Sequence, residues 1–331
     1  MTTAILRRAL LPAALVASLA LSACGSGDPL AEDSAAPGGD AAGDSASDPA
    51  AAPAGAIVVG GANFTEMQVM EEMYGALLTD AGYEVEIISS DSREIYGQAL
   101  IDGDIDVVPE YAATMAEFLN REVNGAEAEL VATSDAAETV AAMEPLATEL
   151  GLVVAEPAEA ASQNGYAILE TVATENDITT LSDFAAFQPD IVLAATEECG
   201  TRPFCQPGLQ DTYGFAISEV LPLGFGSPQA KAAVVQGQAD MALVGTTDAT
   251  LEADGLVLLE DDQALQLADN LVPVLNAASA EDATLVETLN VLAPVLTTED
   301  LAELNRRVDA DRELPADVAT DYLTEAGLIG G

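Results

Sequence analysis

A single lysine, Lys231, three cysteines and no histidine bound the chemistry open to this chain of 331 residues. Histidine is the usual general base, so Ser-His-Asp and Cys-His nucleophilic arrangements are excluded. The GGAN turn at residues 60–63 lacks the later glycines of a dinucleotide fingerprint, and no phosphate-binding loop is present. Acidic residues outnumber Lys and Arg 57 to 9, so carboxylate pairs occur everywhere and none singles out glycosidase chemistry. No EF-hand spacing occurs. No catalytic residue, metal or cofactor is therefore expected.

The cysteines point instead to compartment. Cys24 follows an apolar run, Ala9 to Leu21, behind Arg7 and Arg8. A charged start, an apolar run too short to anchor in a bilayer and small residues before a cysteine resemble a bacterial lipobox. Residues 1–23 then read as a lipoprotein signal peptide, with lipid on the Cys24 thiol and an extracytoplasmic location on the outer face of the cytoplasmic membrane. Cys199 and Cys205 remain as a pair in ECGTRPFCQPG, which outside the cytoplasm should oxidise and staple the loop. A metal site is the rival reading, weakened by the missing histidines.

Residues 24–55 hold one leucine, no aromatic residue and many Gly, Ala, Ser, Pro and Asp. Such a segment cannot bury enough apolar surface to offset its ordering entropy and reads as a disordered tether. The formal charge of −48 excludes a nucleic-acid partner. It favours solubility and a body that stands off anionic lipid. A monomer is expected.

The positioning elements follow from pattern. AIVVGG reads as a buried strand. Met70, Met73, Tyr74, Leu77 and Leu78 fall on one helical face, with Thr65 as N-cap and Gly82 at the end. YEVEIIS alternates as a strand, SREIYGQALIDG is a short helix, and DIDVVPEY is a strand stopped by Pro109. A β-α-β-α-β order makes a mostly parallel sheet flanked by helices the default. Residues 112–150 read as mostly helical. A second unit follows, with strands at YAILETV, IVLAAT and DMALVG. LVPVLNA is another strand, and two helices close the chain. QALIDGDIDVVPEYAAT (98–114) also lies on AAVVQGQADMALVGTTD (232–248) without gaps. That alignment sets Gly103 on Gly237, Asp106 on Asp240 and Tyr111 on Gly245. Both aspartates read as turn and capping residues. Two α/β lobes with a ligand cleft between their loops are implied.

The stretches NFTE, GDIDVVPEY, NGYAI, TRPFCQPGLQDTYG and LNRRVDADRELPADVATDYLTEAGL together resemble the solute-binding lipoproteins of ABC importers for glycine betaine, choline, carnitine and related compatible solutes. The similarity runs over about residues 56–328. It implies a type II periplasmic-binding-protein fold, with residues 56–162 plus 268–331 as lobe 1 and 163–267 as lobe 2. It also implies a permease and ATPase subunits as partners. Relatives hold a quaternary ammonium among tyrosines by cation–π attraction. Carried onto this chain, the resemblance makes Tyr111 and Tyr166 cage residues and Arg202 a grip for a ligand carboxylate. Asn63, Thr65, Thr114 and Thr246 become polar contacts. Two further tyrosines are replaced here by Lys231 and Gly245, and Ala62 precedes NFTE where relatives place a polar residue. Each residue also has a plainer reading. Tyr111 could pack at a strand end and Tyr166 in the core. Arg202 could pair with Glu197 or Glu198, and Lys231 could be solvated. The first functional reading is a quaternary-amine receptor. An anionic or zwitterionic solute gripped by Lys231 and Arg202 is the second. An acidic surface lipoprotein that binds a partner and takes no part in transport is the third.

Overall fold

The structure is a computed structural model that describes residues 54–330. The expected signal peptide, Cys24 and the tether up to residue 53 lie outside the described residues.

The first half runs β1 (Ala56–Ala62), α1 (Thr65–Asp80), β2 (Glu84–Ser90), α2 (Arg93–Asp102), β3 (Val107–Tyr111), α3 (Ala112–Asn124), α4 (Ala136–Glu149) and β4 (Leu152–Val154). There follow β5 (Asn164–Leu169), α5 (Glu170–Asn176), α6 (Leu181–Phe187), β6 (Asp190–Ala195) and α7 (Gln206–Gly208), which continues as a π turn over Leu209–Tyr213. Then come β7 (Ala216–Pro222), α8 (Pro228–Val235), β8 (Met241–Gly245), β9 (Leu256–Leu259) and β10 (Leu271–Asn276). Helices α9 (Ala283–Asn290), α10 (Thr298–Asp309) and α11 (Pro315–Glu325) complete the chain.

Two five-stranded sheets form, ordered β2-β1-β3-β10-β4 and β7-β6-β8-β5-β9. In each, four strands share a direction and one opposes it: β10 in the first sheet and β5 in the second. Both opposed strands come directly after a chain crossing from one sheet to the other, so the reversal records the crossover. Where the crossings pass, Ala161 bridges Asn270 and the Ser162 amide donates to the Asp269 carbonyl.

The repeat has a physical basis. The Val58 amide donates to Asp106 Oδ2 at 2.7 Å, and the Asp106 amide returns a bond to the Val58 carbonyl. Val192 and Asp240 make the same pair of bonds, also with 2.7 Å to the carboxylate. Each aspartate thus pins its strand to the neighbouring one. Gly103 and Gly237 precede them with φ of +80° and +67°, a backbone that glycine adopts at least cost.

Three local expectations are corrected. Phe64, not Thr65, occupies the N-cap of α1, and Thr65 Oγ1 donates to Asp309 instead. Pro109 does not end β3; it pairs across the ladder with Pro273, at a position where the antiparallel register needs no amide donor. The end of YAILETV is helical, because β5 stops at Leu169 and α5 begins at Glu170.

One core carboxylate couples the fold to pH. Glu71 on α1 is buried, accepts from Ser89 Oγ at 2.6 Å, and among the described residues leaves Oε1 without a partner. Burial pushes its carboxyl up to about 7. Native protein therefore binds more protons than unfolded chain between the ordinary glutamate value and neutrality, and stability falls as pH rises through that window. We expect Glu71→Gln to flatten this slope and to stabilise the protein at pH 8 by about 1–3 kcal/mol. Urea unfolding of both proteins at pH 5 and pH 8 checks it; equal slopes would refute the assignment.

Candidate functional site

A cleft of about 1040 Å³ is lined from both sheets. Its walls are the loops that follow β1, β2 and β3 on one side and β6, β7 and β8 on the other. These are the C-terminal ends of parallel strands, where open α/β sheets place ligands.

Three aromatic rings meet there. Phe64, in the turn between β1 and α1, lies 6.4 Å from the Tyr111 ring at an interplanar angle of 25°. It lies 4.9 Å from Phe225, which the loop after β7 brings from the opposite lobe. Phe225 sits between Gly224 and Gly226, both with positive φ, so the chain turns sharply enough to present the ring. Gly245 lies alongside it: a Cβ there would meet the Phe225 ring in ordinary contact at 3.6 Å, so the ring occupies the space a larger side chain would need.

Beside these rings lies a buried carboxylate. Glu66 Oε1 accepts from the Tyr111 hydroxyl at 2.7 Å, and Oε2 accepts from Thr247 Oγ1 at 2.5 Å and Asn305 Nδ2 at 2.7 Å. Thr247 belongs to the opposite lobe. Burial first, then the Glu66 charge, pushes the Tyr111 hydroxyl well above its usual range, which keeps it a donor. No cation pairs with Glu66 within the described residues.

A second network supports the wall. Arg93 at the start of α2 donates through Nε and Nη2 to both oxygens of the fully buried Glu110, each at 2.8 Å, and through Nη2 to Thr114 Oγ1 at 2.9 Å. Tyr96 donates to Glu110 Oε1 at 2.7 Å. Burial works against the Arg93 charge, but Glu110 holds the guanidinium well above its ordinary value. Asp269, in the crossing segment, accepts from the Thr114 amide, and burial pushes its carboxyl up to about 7.

The residues singled out from sequence divide. Tyr111, Thr114, Asn63 and Thr65 line the cleft, with Asn63 Oδ1 accepting from Gln68. Tyr166 does not: its ring is fully buried and its hydroxyl donates to the Phe204 carbonyl, because β5 is an interior strand between β8 and β9. Thr246 also falls outside; it is exposed and pairs with the Gln163 backbone, while Thr247 faces the cleft. Lys231 lines the cleft and is neither solvated nor free. It is buried against Asp248 at 3.0 Å, Asp254 at 3.4 Å and Thr250. Arg202 lines it too, in the loop closed by the Cys199–Cys205 disulfide. It pairs with Glu198 at 3.7 Å, and at 2.7 Å with Glu94 of the opposite lobe. With Arg121, which donates to the Thr201 carbonyl, the disulfide loop clasps the two lobes together. Both sulfurs are in the disulfide, which removes the metal reading of that pair.

Sequence reasoning missed Phe225, Glu66, Arg93, Thr247 and Asn305. Phe64 and Glu66 stand inside the NFTE stretch, and Phe225 carries the signal of an aromatic flanked by glycines at a strand end. Asn305 lies 239 positions from Glu66 and carries no local signal.

Residues 55–325 match the family described as the substrate binding domain of ABC-type glycine betaine transport system. This chain belongs to that family. Its members are solute-binding components of ABC importers that work outside the cytoplasm with permease and ATPase subunits. The binding protein is 27% identical over 239 residues to the glycine betaine-binding protein YehZ of Escherichia coli, covering 69% of this chain and 76% of the relative. It is 25% identical over 289 residues to a glycine-betaine-binding protein of Pseudomonas aeruginosa, covering 82% and 88%. Among solved structures, apo YehZ from Escherichia coli superposes with a TM-score of 0.56 at 24% identity, covering 84% of this chain and 100% of that one. A glycine betaine/carnitine/choline ABC transporter superposes with a TM-score of 0.60 at 21% identity, covering 82% and 99%. The fold of the binding protein is therefore the two-lobed α/β fold of type II periplasmic binding proteins. No helix among the described residues is long and apolar enough to cross a membrane.

Proposed function

We propose that the protein captures a quaternary-ammonium solute in the cleft, held among Phe64, Tyr111 and Phe225 by cation–π attraction and balanced by the Glu66 carboxylate. The observation that carries this is the meeting of three rings, from both lobes, beside a buried carboxylate that no cation among the described residues pairs with. Burying an unpaired charge is costly, and a cationic ligand offsets that cost. The two lobes, residues 56–162 plus 268–331 and 163–267, close on the solute by hinge motion about the crossing segments. Closure then presents the solute to the permease. Lipid on Cys24 tethers a monomer to the outer face of the membrane, and the protein performs no catalysis.

An anionic ligand draws little support, since Lys231 and Arg202 are already ion-paired. Glycine betaine, choline and carnitine, each titrated calorimetrically and by thermal shift, test the proposal. At least one should bind and raise the melting temperature in proportion to its saturation. Absence of binding by all three would overturn it.

A further inference from the structure

The charges around the aromatic box are specific enough to choose between kinds of quaternary ammonium. We infer that Glu66 and Asn305 select a cation whose tail donates a hydrogen bond, such as an amino alcohol, over a zwitterion ending in a carboxylate. The inference rests on the quaternary-ammonium reading above and narrows it.

Three observations carry it. The first is the charge balance of the cleft: ten carboxylate residues line it against five cationic ones. The second is that three of the five cations lining the cleft are already ion-paired. Lys231 is buried against Asp248 and Asp254. Arg93 is locked bidentately to Glu110, and Arg202 spans to Glu94. The other two, Arg121 and Arg312, carry no ion pair among the described residues; Arg121 donates to the Thr201 carbonyl and Arg312 is exposed, so neither is a desolvated grip for a carboxylate. Freeing any of the paired three leaves a carboxylate without its partner, and two of those carboxylates, on Glu110 and Asp248, are nearly or wholly buried. The third observation is an acceptor without a donor. Asn305 lines the cleft, is only 6% exposed, and spends its Nδ2 on Glu66 and Thr247, while its buried Oδ1 has no partner among the described residues. An unmet buried acceptor favours a ligand that brings an O–H or N–H and disfavours one that brings only acceptors.

Glu66 has a second part. Its Oε2 also takes the Thr247 hydroxyl from the opposite lobe. A cation seated beside Glu66 therefore stabilises the same ionised carboxylate that draws the lobes together. Ligand charge and closure meet at one group, which makes Glu66 both a specificity and a positioning residue.

Three probes of nearly equal size separate the outcomes: choline, glycine betaine and 3,3-dimethylbutan-1-ol, the uncharged carbon analogue of choline. Calorimetric titration of the full chain should give choline at least about 10-fold tighter than glycine betaine, and at least about 100-fold tighter than the neutral analogue. Glu66→Gln keeps the hydrogen-bonding shape and removes the charge. It should weaken choline about 10–100-fold and bring choline and the neutral analogue closer together, with far-UV dichroism and melting confirming a folded variant. Asn305→Leu should narrow the preference of choline over glycine betaine. The wild-type ratios need no variant, so a misfolded substitution leaves the test intact. Glycine betaine binding as tightly as choline overturns this inference and leaves the quaternary-ammonium reading standing; the neutral analogue binding as tightly as choline overturns both, because the ligand charge then contributes nothing. Binding by none of the family's solutes overturns that reading as well.

Discussion

Arg93→Met is expected to lower the unfolding free energy by about 3–5 kcal/mol, a large share of the 5–15 kcal/mol typical of a whole domain. The reason is the partner left behind. Glu110 is fully buried in β3, and among the described residues Arg93 is the one cation that meets its carboxylate. Without the guanidinium, Tyr96 and the Tyr111 amide remain as neutral donors to Glu110, and these do not balance a full charge in the interior. The residue after Glu110 is Tyr111, so the damage should reach the aromatic box through the backbone. Urea unfolding with a constant m value gives the loss directly. Combining Arg93→Met with Glu110→Gln removes both charges and should recover much of the stability, because no buried ion is then orphaned. A loss under 1 kcal/mol for the single variant, or no recovery in the double, would falsify this account.

Phe225→Ala is expected to weaken binding of the favoured solute about 30-fold, which is about 2 kcal/mol, the scale of a desolvated cation–π contact with a full ring. Stability should change little, because Phe225 is only half-buried and sits at a loop tip between two glycines. The effect is therefore separable from folding. A companion variant sharpens it. Gly245→Tyr alone places a ring against Phe225, whose atoms already lie 3.6 Å from the position of a Cβ. With Phe225→Ala in the same chain that space opens, and the tyrosine can build the wall from the strand instead of the loop. Affinity should return at least in part. If Phe225→Ala binds within three-fold of the parent, the ring is no part of the site.

Much of the fold was legible because its determinants are local. The strand-turn-helix order of residues 56–80 and the turns at Gly103 and Gly237 read from spacing alone, since each is set by residues a few positions apart; Asp106 and Asp240 read as turn and capping residues, whereas each binds a strand amide 48 positions away. Strands β7 and β9 did not announce themselves; neither alternates cleanly, and their place comes from pairing with β6 and β5. In the site, Tyr111 and the NFTE loop were legible as strand-end features. Tyr166 misled because a tyrosine on a strand looks alike whether it faces a cleft or a core, and only the neighbouring strands decide. Thr246 was one residue out, and past a strand end a single step reverses the side a residue faces. Lys231 looked like an intruding cation until Asp248 and Asp254 closed on it. Asn305 was beyond reach, because α10 returns to the first lobe only after the whole second lobe has been built.

That return sets an order of assembly. Strand β10 fills the place between β3 and β4, and α10 then delivers Asn305 to Glu66 and Asp309 to Thr65. A chain synthesised and exported N-terminus first holds Phe64, Tyr111 and Phe225 long before these braces emerge. Its first sheet stays split until residue 276 is out, and the Glu66 carboxylate has only the Tyr111 and Thr247 hydroxyls until residue 305. The bracing of the pocket therefore depends on residues near the end of the chain, and a receptor ended before residue 305 has no fully braced pocket to present to the transporter.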